Sequence, residues 1–335
     1  MSDNKYKSAR VYFYQMALGK RTNRDSFRKS VLDLWKVFEK KQYSKVPEFI
    51  IDDNKVYVSS MEKVPLGDQI LPGGKVLETF ALMMNIQRVN PNEPVRFGDL
   101  TMRPDIRLKT LSNELEGMQK DSPRAKELMK QIDDGNIGPL INSPVLYDPF
   151  RRILLRVRQS GDLTNQQLMR FFKRGFNCPG AFLQMILDGQ STTDIDGLDL
   201  LLEFSYAVAS PDNFSAFANN AQSEFKDLEA ASDMNSQTIK VVMMGPDLTK
   251  RKAKKKIDEL LSTQSGLETK TAVVKGIADG SEKEMDFIKN RLKYDGTINY
   301  DSKKGITIKD YFNLLSWAYQ QKMNFLKARY NLEWD

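Results

Sequence analysis

The chain has 335 residues, 40% of them hydrophobic and 28% charged, with a formal net charge of +7. That length allows two domains and a sizeable core, and the composition excludes a disordered or fibrous chain. It contains no histidine and one cysteine, Cys178, which excludes Ser-His-Asp and Cys-His nucleophiles, an internal disulfide and a structural zinc site.

The missing histidines also remove the usual general base near neutral pH. There is no P-loop and no Rossmann glycine fingerprint. The expectation is therefore a binding protein without a cofactor, not an enzyme. No apolar stretch approaches the ~20 residues needed to span a bilayer, and MSDNKYKSAR lacks the apolar core of a signal peptide. The expected location is intracellular: the cytoplasm, the nucleus, or a virion if the chain is viral.

Residues 1–19 read as an apolar and basic arm, with Val11, Tyr12, Phe13, Tyr14, Met16 and Leu18 available to dock on a neighbouring copy. Residues 25–40 read as an amphipathic helix, with Phe27, Val31, Leu34 and Phe38 near helical spacing. FIIDDNKVYV, 49–58, reads as a β-hairpin turning at Asp52-Asp53-Asn54. Two helices are expected over 105–134, broken at Asp121-Ser122-Pro123, and turn residues from Asp133 to Pro144 mark a lobe boundary. A helix is expected from Phe150, with Asp148 as N-cap, Pro149 as first residue and Phe150, Ile153, Leu154 and Val157 inward. Another ends at Gly175 as its C′ residue. Thr238–Met244, a helix capped by Asp247 and running to about Leu261, and Thr271–Val274 outline a short βαβ unit. Asp295-Gly296 reads as a turn. Thr307 and Asp310 form a capping box for a last helix to about Tyr330 that is apolar on most sides. The expected fold is mainly α with minor β: the arm, an N-terminal lobe at 20–135 and a helical lobe at 145–335. The hairpin near 49–58 and the βαβ unit near 238–274 are its β elements.

Charge is segregated along the chain. Residues 1–45 hold twelve basic and four acidic residues, 150–175 hold seven and one, and 190–235 hold one and nine. Blocks of alternating sign imply a basic and an acidic face, or surfaces that meet between subunits.

Three basic clusters carry the functional reading. Arg151, Arg152, Arg156 and Arg158 follow Asp148-Pro149; on a helix, Arg152 and Arg156 would share a face and repel without a counter-ion, which a phosphate would supply. Asp and Glu elsewhere in the fold pairing with them, or water solvating them, is the structural alternative. Lys250, Arg251, Lys252, Lys254, Lys255 and Lys256 crowd the start of a helix, the wrong end for its dipole, as a phosphate site or import signal would. Arg170, Lys173 and Arg174 alternate with Phe171, Phe172 and Phe176, as base stacking would require, although ordinary core packing explains them as well. Arg21, Arg24, Arg28 and Lys29 extend the basic surface.

Asp194, Asp196, Asp199 and Glu203 form an acidic cluster whose last three members would share one helical face and could hold a divalent metal, but acids at a helix start are ordinary. No metal site is expected. The reading is a sequence-independent single-stranded RNA-binding protein of nucleocapsid type, oligomerising with itself along the strand and without a membrane partner. Its alternatives are an adaptor assembling through charged surfaces and a magnesium-dependent nucleic-acid enzyme.

Overall fold

The computed structural model describes residues 4–19, 24–70, 73–89, 140–159, 161–189, 191–209, 234, 236, 238–263, 267–301 and 305–332. It overturns the mainly α expectation: 47% is strand and 29% helix, in two antiparallel sheets with four helices among the described residues. Arg21 and the helices expected over 105–134 lie outside the described residues. No described helix is long and apolar enough to cross a membrane.

The strands are β1 (Asn4–Leu18), β2 (Glu48–Ile51), β3 (Asn54–Ile70), β4 (Val76–Val89), β5 (Leu140–Asp148), β6 (Ile153–Val157), β7 (Ala181–Met185), β8 (Leu200–Ala209), β9 (Thr238–Met244), β10 (Thr269–Ala278), β11 (Ser281–Asp286) and β12 (Lys293–Asp301). The helices are α1 (Arg24–Glu39), α2 (Asn165–Gly175), α3 (Lys250–Leu260) and α4 (Ile308–Arg329). The chain divides into two interleaved compact units. One holds residues 1–12, 18–181 and 294–335; the other holds 13–17 and 182–293. The first sheet runs β12-β1-β6-β5-β4-β3-β2, with β7 also on β1, and the second runs β11-β10-β8-β9.

In the first unit the β2–β3 hairpin forms where its sequence places it. Asp52 and Asp53 both take positive φ, 47° and 62°, as a tight hairpin turn with the right-handed twist of its strands requires. Asn54 Nδ2 donates to the Asp52 carbonyl at 2.5 Å. The helix expected from Phe150 is instead strand β6, every residue of which is buried. Asp148 Oδ1 accepts from the Phe150 and Arg151 amides at 2.8 and 3.1 Å. That is the same interaction an N-cap makes, used here to close the β5–β6 turn. Ser143 and Pro144, expected in a boundary loop, lie within β5. Asp295 and Gly296, expected in a turn, lie inside β12, where Asp295 pairs with Arg10.

α4 packs on β5 and β6. Its capping box is present, with the Thr307 amide donating to Asp310 Oδ2 at 2.7 Å. Its burial is one-sided: Tyr311, Phe312, Leu314, Leu315, Ala318, Tyr319 and Leu326 face inward, while Trp317 is exposed. The Tyr319 hydroxyl donates to Asp148 Oδ2 at 2.5 Å, tying the helix to the β5–β6 turn. Burial raises the Asp148 carboxyl above its ordinary range, against the opposing hydrogen bonds from Tyr319, Phe150 and Arg151.

In the second unit β9, α3 and β10 follow the β–α–β order read over 238–274. Both strands pair antiparallel to β8, which lies between them, so they are parallel to each other without being neighbours. Ile257, Leu260 and Ala253 of α3 join Leu201, Phe204, Tyr206, Val208, Ala272 and Val274 in the core of this unit.

Candidate nucleic-acid interface

α3 is organised by its apolar residues. Ala253, Ile257 and Leu260 fall at i, i+4 and i+7, and all three are buried, so that stripe seats the helix on its sheet. The flanking cations are then divided by position. Lys250 Nζ donates to the Leu198 carbonyl and, at 3.3 Å, to the Asp199 carbonyl. Lys254 Nζ lies 2.6 Å from Asp196 Oδ2. Lys256 sits 5.6 Å from the centre of the Tyr206 ring and 3.8 Å from Glu259. These three half-buried lysines fasten the helix to its surroundings.

Arg251, Lys252 and Lys255 are exposed, and their side chains make no hydrogen bond or ion pair among the described residues. At 100° per residue they fall within about a quarter of the helix circumference. They occupy the first turns, where the backbone dipole already favours an anion. The first turn has no acidic residue, and the N-cap, Thr249, accepts no side-chain hydrogen bond. Asp247, read as the cap, instead accepts from the Leu201 amide at 3.3 Å. The result is a stripe of three outward cations beside uncapped amides at the positive end of a helix. Such a stripe has the charge to meet an anion.

The acids of 194–203 are spent singly. Asp194 accepts from the Ser191 amide at 2.7 Å and caps a short 3-10 helix, Thr192–Gly197. Asp196 holds Lys254. Asp199 accepts from the Asp279 amide at 2.9 Å, and Glu203 lies 3.3 Å from Lys275. They do not share a helical face, and no group of three or more Cys, Asp or Glu among the described residues could hold a metal.

The arginines following Asp148 do not line a groove. Arg156 is fully buried; its guanidinium donates to Asn165 Oδ1 at 2.7 Å, Asp162 Oδ2 at 2.7 Å and the Leu163 carbonyl. Arg151 is buried with Nη1 3.6 Å from Asp148 Oδ2. Arg152 takes φ +54° in the turn and is half-buried, and only Arg158 is exposed. The counter-ion of Arg156, sought outside the protein, is Asp162, six residues on.

The Arg170 cluster is structural as well. Arg170 pairs with Asp52, and Arg174 Nη1 donates to the Ile50 carbonyl at 2.6 Å, so α2 clamps the β2–β3 hairpin. Phe171, Phe172 and Phe176 are buried against one another and against Phe49 and Phe27, which leaves no face for a base. Lys173 is half-buried. Gly175 is the last helical residue, not C′; a Cβ there would meet the Phe49 ring at 3.3 Å. Burial raises the Cys178 thiol to about 12, so this sulfur is a poor nucleophile at neutral pH.

Arg28 lies over the Phe150 ring, 5.1 Å from its centre, and Lys29 is exposed on α1. Arg24 opens α1, but its side chain is outside the described residues. The arm is not free to dock elsewhere. Val11, Tyr12, Phe13, Tyr14 and Met16 are buried within this chain and Leu18 is half-buried, all in strand β1. No known family model matches the chain, and comparison with curated proteins gives no match.

Proposed function

We propose that the protein binds single-stranded RNA through its phosphates, without reading sequence, in the manner of a nucleocapsid-type coating protein. The observation that carries this is the outward stripe of Arg251, Lys252 and Lys255 at the start of α3, where the first turn holds no acid and none of the three side chains makes an ion pair among the described residues. Crowding cations at the positive end of a helix costs stability unless an anion is bound there. The neighbouring lysines each have a structural partner; among the described residues the side chains of these three do not. Contacts of this kind read charge and leave bases unread, so the affinity is salt-dependent and shared by unrelated sequences.

Fluorescence anisotropy with a labelled single-stranded RNA across a salt series tests the reading. Binding that weakens steeply with salt, and is alike for two unrelated sequences, supports it. Absence of binding at low salt, or binding confined to one sequence, contradicts it.

A further inference from the structure

The two edges of the second sheet are built differently. β11, Ser281–Asp286, carries Glu282, Lys283 and Glu284 exposed along its length. Charge on an edge strand is a usual device against pairing with another chain. β9, at the other edge, carries one charge, Lys240, and no proline in seven residues. It pairs with β8 from Thr238 to Met244 without a register shift. Val242, Met243 and Met244 are exposed at 44, 38 and 72%. Among the described residues no strand pairs with the outer edge of β9.

We infer that β9 is a self-association strand, by which two copies of the chain pair antiparallel about a two-fold axis at Val242. The argument for a second copy, over an unrelated strand, is charge. On the open face of the sheet the register aligns Met244, Glu203, Lys275 and Glu284 in one row across β9, β8, β10 and β11. Lys275 lies 3.3 Å from Glu203 and 3.9 Å from Glu284, so the row has two acids for one base. With the axis at Val242, residue 240 of one copy falls opposite residue 244 of the other, on the same face. Lys240 of the second copy then lies over Met244, two strand spacings or about 10 Å from the backbone of Glu203. The combined reach of a lysine and a glutamate side chain spans that gap. A groove of about 480 Å³ bordered by Met244, Glu203, Lys275 and Glu284 is there to receive it. The same pairing sets Val242 against its own copy and keeps the two Lys240 side chains apart. It joins two four-stranded sheets into one of eight. Such an isologous contact closes on itself and needs no RNA.

The test is sedimentation of the full chain over a micromolar concentration series, with and without Val242→Lys, together with cysteine trapping. Val242→Lys sits at an exposed position, and its circular dichroism should match wild type. A concentration-dependent dimer that this change weakens at least tenfold supports the pairing. Under mild oxidation Val242→Cys should cross-link to its copy, because residues facing across the axis are within disulfide reach. Lys240→Cys, two residues off the axis, should not. A monomer throughout the series, a dimer indifferent to Val242→Lys, or equal cross-linking at 240 and 242 would each overturn it.

Discussion

Replacing Arg156 by methionine should destabilise the first unit without touching the proposed RNA binding. The guanidinium is fully buried and bonds to Asp162 and Asn165, both at 2.7 Å, and to the Leu163 carbonyl. The side chain of Asp162 is itself 3% exposed. Among the described residues its Oδ2 also accepts from the Gln159 amide at 3.2 Å. Methionine fills much of the arginine volume, so the dominant cost is a buried carboxylate left without its counter-charge, about 3–5 kcal/mol. In a unit of this size that is a fall in Tm of about 10 °C. Urea denaturation followed by tryptophan fluorescence measures it. Adding Asp162→Leu to the variant removes the orphaned charge and should recover most of the loss, because an apolar pair of similar volume is often as stable as a buried ion pair. A loss below about 1 kcal/mol for Arg156→Met, which would match an exposed charge, would refute the reasoning. So would weaker RNA binding at unchanged stability.

Tyr319→Phe should cost about 1–3 kcal/mol at neutral pH, because the buried Asp148 carboxylate loses a donor. Burial holds the Asp148 carboxyl above its unfolded value, so its ionisation lowers stability as pH rises from the unfolded value through the folded one. The deficit of Tyr319→Phe should therefore narrow in acid, and thermal melts at neutral and acidic pH measure this. Thr307→Ala, which breaks the capping box of α4, should cost about 1 kcal/mol in the same melts. Cys178 is buried with its thiol raised to about 12; it should ignore a disulfide reagent in the folded protein and react on denaturation, as thiol titration with and without urea would show.

Where local geometry decides the structure, the sequence was legible. The amphipathic spacing of Phe27, Val31 and Leu34 gave α1, the Asp52-Asp53-Asn54 turn gave the hairpin, and Thr307 with Asp310 gave the cap of α4. The misreading of β6 has a physical cause. Asp148 binds the same two amides whether it opens a helix or closes a hairpin, and a run such as Ile153-Leu154-Leu155 fits a buried strand as well as a helix face. The long strands contain continuous buried runs, residues 11–14 of β1, 56–59 of β3 and 81–87 of β4. They lose the alternation that marks a half-exposed strand.

The candidate site was legible as a composition and not as a surface. The run from Lys250 to Lys256 names six cations, and only the seating of Ala253, Ile257 and Leu260 separates the three that anchor from the three that face outward. For Arg156 and Arg170 the deciding partners are Asp162, across a turn, and Asp52, far along the chain. No charge count reveals such pairings. The apolar run of β1 was read as an arm for a neighbouring copy; its burial within the chain's own fold is a property of the assembled sheet.

The most direct test of the RNA reading is the salt dependence of binding for Arg251→Ala/Lys252→Ala/Lys255→Ala beside wild type. All three side chains are exposed and unbonded among the described residues, so the variant should melt as wild type does. Three lost phosphate contacts should lower the slope of log K against log salt by about 2 for a single strand. An unchanged slope and affinity in the folded variant would place the phosphate contacts elsewhere and contradict the assignment of α3 as the RNA-binding element.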